Sequence, residues 1–398
     1  MPNTASRLIH FTKSVIREMT RLADQCDALN LAQGFPDFDP PAELLAAAER
    51  ALRSGYNQYA VTWGAPGFRQ ALARKQTHFM GLEIDAETHI TVTCGSTEAM
   101  LASLMTVCNP GDKVIIFSPF YENYAADAIL AGAKPIFVPL RPPEFHFDPD
   151  ELRQAFKQEA RALVLCNPSN PSGKVFSRAE LQTIADLALE YDTFVITDEV
   201  YEHILYEPYQ HTYIASLPGM FERTLSCSSL SKTFAITGWR LGYVIAAPQI
   251  SEEVRKVHDF LTVGAPAPLQ EAAVTALDFP MAYYHQLQSE YTRRRDLFLV
   301  FLEQIGLSYT QPQGAYYLLV DISPFIFGKY DSKFRSPARF ENDTDFCRWM
   351  VRDIGVAAVP GASFFHEPVN HLIRLNFAKR EETLFEAGER LLRLKEFL

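Results

Sequence analysis

Lys232 sits in a hydroxyl-rich stretch, Ser229-Leu230-Ser231-Lys232, and Gly238-Trp239-Arg240 follows, with the arginine eight positions beyond the lysine. Two hydroxyls and a planar guanidinium suit a phosphate, which accepts many hydrogen bonds and can be gripped by parallel N–H groups. An amine held beside such an anion, in a poorly hydrated loop, suits Schiff-base chemistry, because desolvation lowers its pKa and frees its lone pair. On its own the loop is equally a solvated turn with a stray lysine. The decision rests on residues elsewhere.

Several stretches carry such residues. Asn167-Pro168-Ser169-Asn170-Pro171-Ser172-Gly173 follows the apolar run at 162–166, and Asp198-Glu199-Val200-Tyr201 follows the run at 194–197. Gly95-Ser96-Thr97 opens a helical pattern after residues 90–93. A helix N-terminus offers free N–H groups and a positive dipole end to an anion, although G-S-T is also an ordinary N-cap. Tyr121 closes Pro119-Phe120-Tyr121 after the run at 113–117, where a core tyrosine would look the same. Gly34 lies in the Gly-, Pro- and Asp-rich segment 30–41, where a glycine lets a ligand approach the backbone. Tyr59 lies in the loop segment that leads into a helix by residue 72. Arg374 interrupts the apolar alternation of residues 371–378, where a strand arginine can also face solvent.

The elements that must position these groups alternate between strand and helix. Short apolar runs at 90–93, 113–117, 133–139, 162–166 and 194–197, separated by helical patterns, argue for a mostly parallel sheet covered on both faces. Ligands of such sheets gather at the carboxyl ends of the strands, where the candidate residues fall. The segment between the strand that opens at Thr224 and the one resuming at Trp239 is too short for a helical crossover, so these two strands are expected to be antiparallel neighbours. Helices are expected over 15–28, from Pro41 to near Gly55, and over 252–261, 268–277, 345–354 and 379–394. A long pattern over 281–305 is expected to join two domains, and residues 322–344 to form an irregular surface segment.

Composition narrows the class. The chain has 398 residues, 47% apolar and 21% charged, enough for two domains with sizeable cores. A net charge of −11 without a basic run opposes nucleic-acid binding. Six scattered cysteines without C-x-x-C point to reduced thiols in a cytoplasm rather than zinc or a redox pair. No apolar run is long enough to span a bilayer, and the first residues show no signal-peptide core. His366-Glu367-Pro368-Val369-Asn370-His371 is not H-E-x-x-H: its spacing is too long and Pro368 opposes a helix, so no metal site is expected.

Taken together, S-x-S-K with G-W-R, N-P-x-N-P-S-G, D-E-x-Y and the I-R-L-x-F around Arg374 resemble the class I aminotransferases of fold type I, which use pyridoxal 5'-phosphate (PLP). The likeness spans almost the whole chain. It implies an α/β fold with a mostly parallel central sheet sandwiched by helices. A large cofactor domain would cover 46–289, and a smaller α+β domain would be formed by 1–45 and 290–398. It implies that Lys232 holds the cofactor as a Schiff base, while Ser229, Arg240, Ser96 and Thr97 face its phosphate and Tyr121 stacks on the ring. Asp198 would keep the ring nitrogen protonated, so that the ring accepts a carbanion's electrons. Asn170 and Tyr201 would share the phenolic oxygen. Arg374 and Gly34 would hold the substrate carboxylate, and Tyr59 would reach the phosphate of a neighbouring subunit, implying a homodimer with shared sites.

Among such enzymes the chain is most similar to kynurenine, glutamine–phenylpyruvate and methionine aminotransferases, through N-L-A-Q-G-F-P-D-F and residues 214–225. Residues 259–284 supply no Lys or Arg for a distal carboxylate, and Val263-Gly264 replaces the aromatic and histidine of some kynurenine enzymes. The expected donor is therefore a neutral, aromatic or sulfur-containing amino acid and the acceptor a 2-oxo acid. The alternatives are a dicarboxylic amino-acid donor such as aspartate and a PLP-dependent C–S β-lyase.

Overall fold

The computed structural model describes residues 3–11, 13–327 and 340–398. In chain order its strands are β1 (Leu29–Asn30), β2 (Ile90–Cys94), β3 (Lys113–Ser118), β4 (Lys134–Arg141), β5 (His146–Phe147), β6 (Ala160–Cys166), β7 (Phe194–Asp198), β8 (Thr224–Ser229), β9 (Leu241–Ile245), β10 (Tyr317–Asp321), β11 (Val356–Ala357), β12 (Val359–Pro360) and β13 (Leu372–Asn376).

Eight of these form one sheet in the order β2-β9-β8-β7-β6-β3-β4-β5. β9 pairs antiparallel with β2 and β8, β5 pairs antiparallel with β4, and the other pairings are parallel. This is the mostly parallel sheet expected. Successive side chains leave a strand on opposite faces. Ile115 and Leu163 accordingly join an apolar cluster with Leu181 and Ile184 of the helix Arg178–Glu190. Val114, Ile116 and Val164 join another with Ala99 and Leu104 of the helix Ser96–Val107. With both faces buried, β8 and β9 carry no exposed residue. The helix Arg178–Glu190 starts where Ser177 and Glu180 form a reciprocal capping box.

Strand polarity sets the site. β2, β3, β6, β7 and β8 all end on one edge of the sheet, at Cys94, Ser118, Cys166, Asp198 and Ser229, and β9 begins there at Leu241. β9 starts two residues later than expected. Gly238 and Trp239 belong to a short 3-10 turn, and Arg240 takes a left-handed conformation (φ 54°, ψ 50°) that turns the chain into the strand. Gly242 lets β9 lie against the start of the next helix: a Cβ there would sit 2.5 Å from the Ser96 nitrogen.

A second assembly covers that edge. β10, β13 and β12 form an antiparallel sheet, and β1 pairs in parallel with β11. One apolar cluster combines Ile16, Met19 and Leu31 with Val356, Leu375 and Leu384. The helix Met281–Ile305 is a single element that also delivers Tyr291, Phe298 and Leu302 to this cluster. The N-terminal helix runs Val15–Cys26, begins at a Ser14 side chain that accepts from the Arg17 amide, and stops at left-handed Asp27. The helix expected from Asp345 begins at Asp343 and passes into a π-helical turn at Met350–Ile354. Of the segment 322–344, read as irregular, Ser323–Phe327 is helical, and residues 328–339 lie outside the described residues. No helix of the described residues is long and apolar enough to cross a membrane.

Candidate active site

Between the sheet edge and the covering assembly lies a cleft of about 1160 Å³. Its lining includes Gly34, Ser96, Thr97, Tyr121, Asn170, Asp198, Tyr201, Ser229, Lys232, Arg240 and Arg374. The structure thus brings together all the residues expected at the site except Tyr59. That side chain is 86% exposed and does not line the cleft of its own chain.

One end of the cleft is built for an anion. The helix Ser96–Val107 has no side-chain cap, so its leading amides face the cleft without a capping oxygen. Arg240 donates through Nη1 to the Thr237 carbonyl at 3.1 Å and through Nη2 to the Cys94 carbonyl at 3.3 Å, and no carboxylate pairs with it among the described residues. Ser229 and Ser231 line the same end. Glu98 braces this corner: it accepts from His258 Nδ1 and from the Thr262 hydroxyl, both at 2.7 Å.

At the centre, Lys232 Nζ donates to the Gly34 carbonyl at 3.0 Å, which also accepts from the Tyr316 hydroxyl at 2.9 Å. Burial lowers the Lys232 pKa to about 8; Asp198 opposes the shift, and Arg240 and Arg374 reinforce it. Asp198 is buried and its pKa is raised by burial, against the hydrogen bond donated by Tyr124 (2.7 Å). Burial and the Asp198 charge push the nearby Asp127 carboxyl up to about 7.

Arg374 forms the other end. Its Nη1 donates to Asn170 Oδ1 and its Nη2 to the Ala32 carbonyl, each at 2.7 Å, while Nε has no partner among the described residues. The guanidinium lies between the rings of Tyr317 and Phe364, 4.2 and 4.6 Å from their centroids. The Tyr317 and Tyr201 hydroxyls are 3.1 Å apart.

Among the cleft residues that sequence reasoning missed are Tyr124, Asp127, Tyr317 and Arg17. Tyr124 and Asp127 were findable, since they lie three positions apart and so share one side of the helix Asn123–Leu130, which starts two residues after Tyr121. For Tyr317 the Tyr316-Tyr317 pair was the signal, but pattern cannot say which ring faces the site. Arg17 carries no sequence signal; it is an exposed residue at the start of the N-terminal helix.

The residues present fit PLP. Amides and a guanidinium lacking an anionic partner suit its phosphate, a buried carboxylate suits its ring nitrogen, and a lysine with a lowered pKa suits its aldehyde. Fold and site together define an aminotransferase of fold type I. The sequence profile of the family "Aminotransferase class I and II" matches residues 27–391. The methionine aminotransferase of Escherichia coli (strain K12) is 37% identical over 390 residues, covering 98% of each chain. Kynurenine–oxoglutarate transaminase 1 of Homo sapiens is 36% identical over 95% of each. The solved structure of N-succinyldiaminopimelate aminotransferase from Mycobacterium tuberculosis superposes with a TM-score of 0.91 at 37% identity, covering 98% of this chain and 100% of that one. The chain belongs to the class I and II aminotransferases.

Proposed function

We propose that this aminotransferase works with PLP and moves the α-amino group of a neutral, aromatic or sulfur-containing amino acid to a 2-oxo acid. The observation that carries the reading is Lys232: a cleft amine with its pKa lowered to about 8, between the Asp198 carboxylate and the two guanidiniums of Arg240 and Arg374.

Arg240, Ser229 and the amides of Ser96 and Thr97 hold the phosphate. Tyr121 would cover one face of the ring, Asp198 would hold the ring nitrogen in its protonated form, and Asn170 and Tyr201 would donate to the phenolic oxygen. When bound, the cofactor supplies an electron sink for the negative charge that develops at the substrate Cα. Arg374, already fixed by Asn170 and Ala32, orients the substrate through its α-carboxylate, with Gly34 leaving room beside it. Lys232 would take the proton from the substrate Cα and carry it until it is given back; a pKa near 8 gives an amine that both takes and releases a proton near neutrality. The two half-reactions share one site, so the kinetics are ping-pong.

The assembly belongs to the same proposal. Tyr59 and Val263, 86% and 44% exposed, lie in loops, and Phe260, 92% exposed, lies at the end of the helix Pro248–Leu261 that leads into the second loop; the two loops adjoin, with His258 Nε2 donating to the Thr62 carbonyl at 2.8 Å. Aromatic and β-branched side chains presented this way support a homodimer in which these loops enter the partner's site. The six cysteines are free, which supports a cytoplasmic protein. The division into a domain over 46–289 and one formed by 1–45 and 290–398 is supported by the β1–β11 pairing.

One observation favours a second reading. Arg17 lines the cleft and forms no ion pair among the described residues, so an acidic substrate's distal carboxylate has a cation within this chain. Single-turnover absorbance against an amino-acid panel tests both. Fast conversion of the visible PLP band to the pyridoxamine phosphate band by methionine, glutamine or aromatic residues supports the neutral donor, and fast conversion by aspartate supports the acidic one. Absence of a band after PLP addition overturns the proposal.

A further inference from the structure

Resting on that reading, we propose that Tyr317 is a positioning residue that ties the carboxylate grip of Arg374 to the hydroxyl of Tyr201. Tyr317 opens β10, and the β10–β13 register puts Leu319 opposite Arg374, so Tyr317 is the arginine's diagonal neighbour across the antiparallel pair. Its ring lies 4.2 Å from the guanidinium carbon, and its hydroxyl is 3.1 Å from that of Tyr201. Gly34 is shaped to this hydroxyl: a Cβ there would sit 1.7 Å from the Tyr317 oxygen. One side chain therefore touches the substrate's anchor, the Gly34 segment and the group facing the cofactor's phenolic oxygen.

Either hydroxyl of the pair can donate. A cofactor phenolate only accepts, so it fixes the direction: Tyr201 donates to the phenolate and must then accept from Tyr317. A donor behind Tyr201 polarises it and strengthens its own donation. Stronger donation favours the form of the cofactor–lysine linkage with more negative charge on the phenolic oxygen, which is the deprotonated form. Tyr317 therefore lowers the pH at which the bound chromophore titrates. The other groups around the pair are Tyr316 just before β10, Tyr121 after β3, Tyr291 of the helix Met281–Ile305, Cys166 from the end of β6, Asp198 from β7, Lys232 after β8 and Arg374 from β13. Tyr317→Phe leaves all of them in place.

The test uses the PLP-loaded enzyme. The pH midpoint of its visible band is measured without substrate, and affinity for 3-phenylpropanoate is measured as a probe of the Arg374 site. Tyr317→Phe keeps the ring and loses the hydroxyl: the midpoint rises by a few tenths of a pH unit while 3-phenylpropanoate affinity stays near wild type. Tyr317→Leu loses both: the midpoint rises and affinity falls roughly tenfold, the size of a desolvated cation–π contact. A Tyr317→Phe midpoint equal to wild type, with PLP still bound, overturns the inference whether or not the leucine variant folds. A wild-type enzyme that binds no PLP instead overturns the proposed function itself, which the same spectra distinguish.

Discussion

Arg374 Nη1 donates to Asn170 Oδ1 at 2.7 Å, joining β13 of the small sheet to the loop that leaves β6 of the large one. Asn170 reaches Arg374 from across the cleft and sits where it can face the cofactor as well. A substrate carboxylate docked on Arg374 would therefore be registered against the cofactor by one amide side chain, which limits misplacement along the cleft.

On the proposed reading, Lys232→Ala removes both the covalent anchor and the proton carrier. Turnover and the visible absorbance of bound PLP should vanish together, while the cofactor-free protein remains folded by circular dichroism. Wild-type turnover in this variant would remove Lys232 from the chemistry.

Arg240→Ala should weaken PLP binding. A phosphate dianion deprived of its guanidinium loses a charge-assisted partner, but Arg240 is exposed, so solvent screening limits the loss to about 2 kcal/mol, the low end for such pairs. Equilibrium titration with PLP checks the value, and unchanged affinity would take Arg240 out of the phosphate site.

Stability of the cofactor-free protein should depend on pH through Lys232. Its folded pKa, about 8, lies below the ordinary 10.5, so folding carries the cost of a poorly hydrated charge below pH 8. Between those values the unfolded chain holds a proton that the folded one does not, and stability rises with pH. Lys232→Met should therefore stabilise the cofactor-free protein at neutral pH, by on the order of 2–3 kcal/mol, and the gain should fade towards pH 10. Thermal melts of both proteins across this range read the difference directly.

Arg17→Ala separates the two substrate readings. If Arg17 meets a distal carboxylate, the variant raises KM for 2-oxoglutarate severalfold and leaves KM for methionine unchanged. Equal effects on both substrates would assign Arg17 to the cleft's general field.

Much of this was legible before the structure. Parallel strands buried on both faces read as apolar runs, so β3, β6 and β7 were visible, as were the polar motifs at their ends. What stayed hidden depends on orientation and on contacts remote in sequence. Arg240 was expected inside a strand, yet it lies just before one, because the turn at Gly238 and Trp239 delays β9. Tyr317 opens β10, but alternation alone does not choose between Tyr316 and Tyr317 as the ring under Arg374. Arg17 joins the cleft only because the N-terminal helix docks there, a contact that no local pattern encodes.

The cleft also has a place in time. Lys232 leans on the carbonyl of Gly34, and Arg374 on that of Ala32, a partner 342 positions earlier. The floor of the pocket is thus synthesised near the start of translation and its anchoring arginine near the end. A growing chain that already carries Lys232 and Asp198 still lacks Arg374, so the two ends of the cleft are joined only when its last strand has been made.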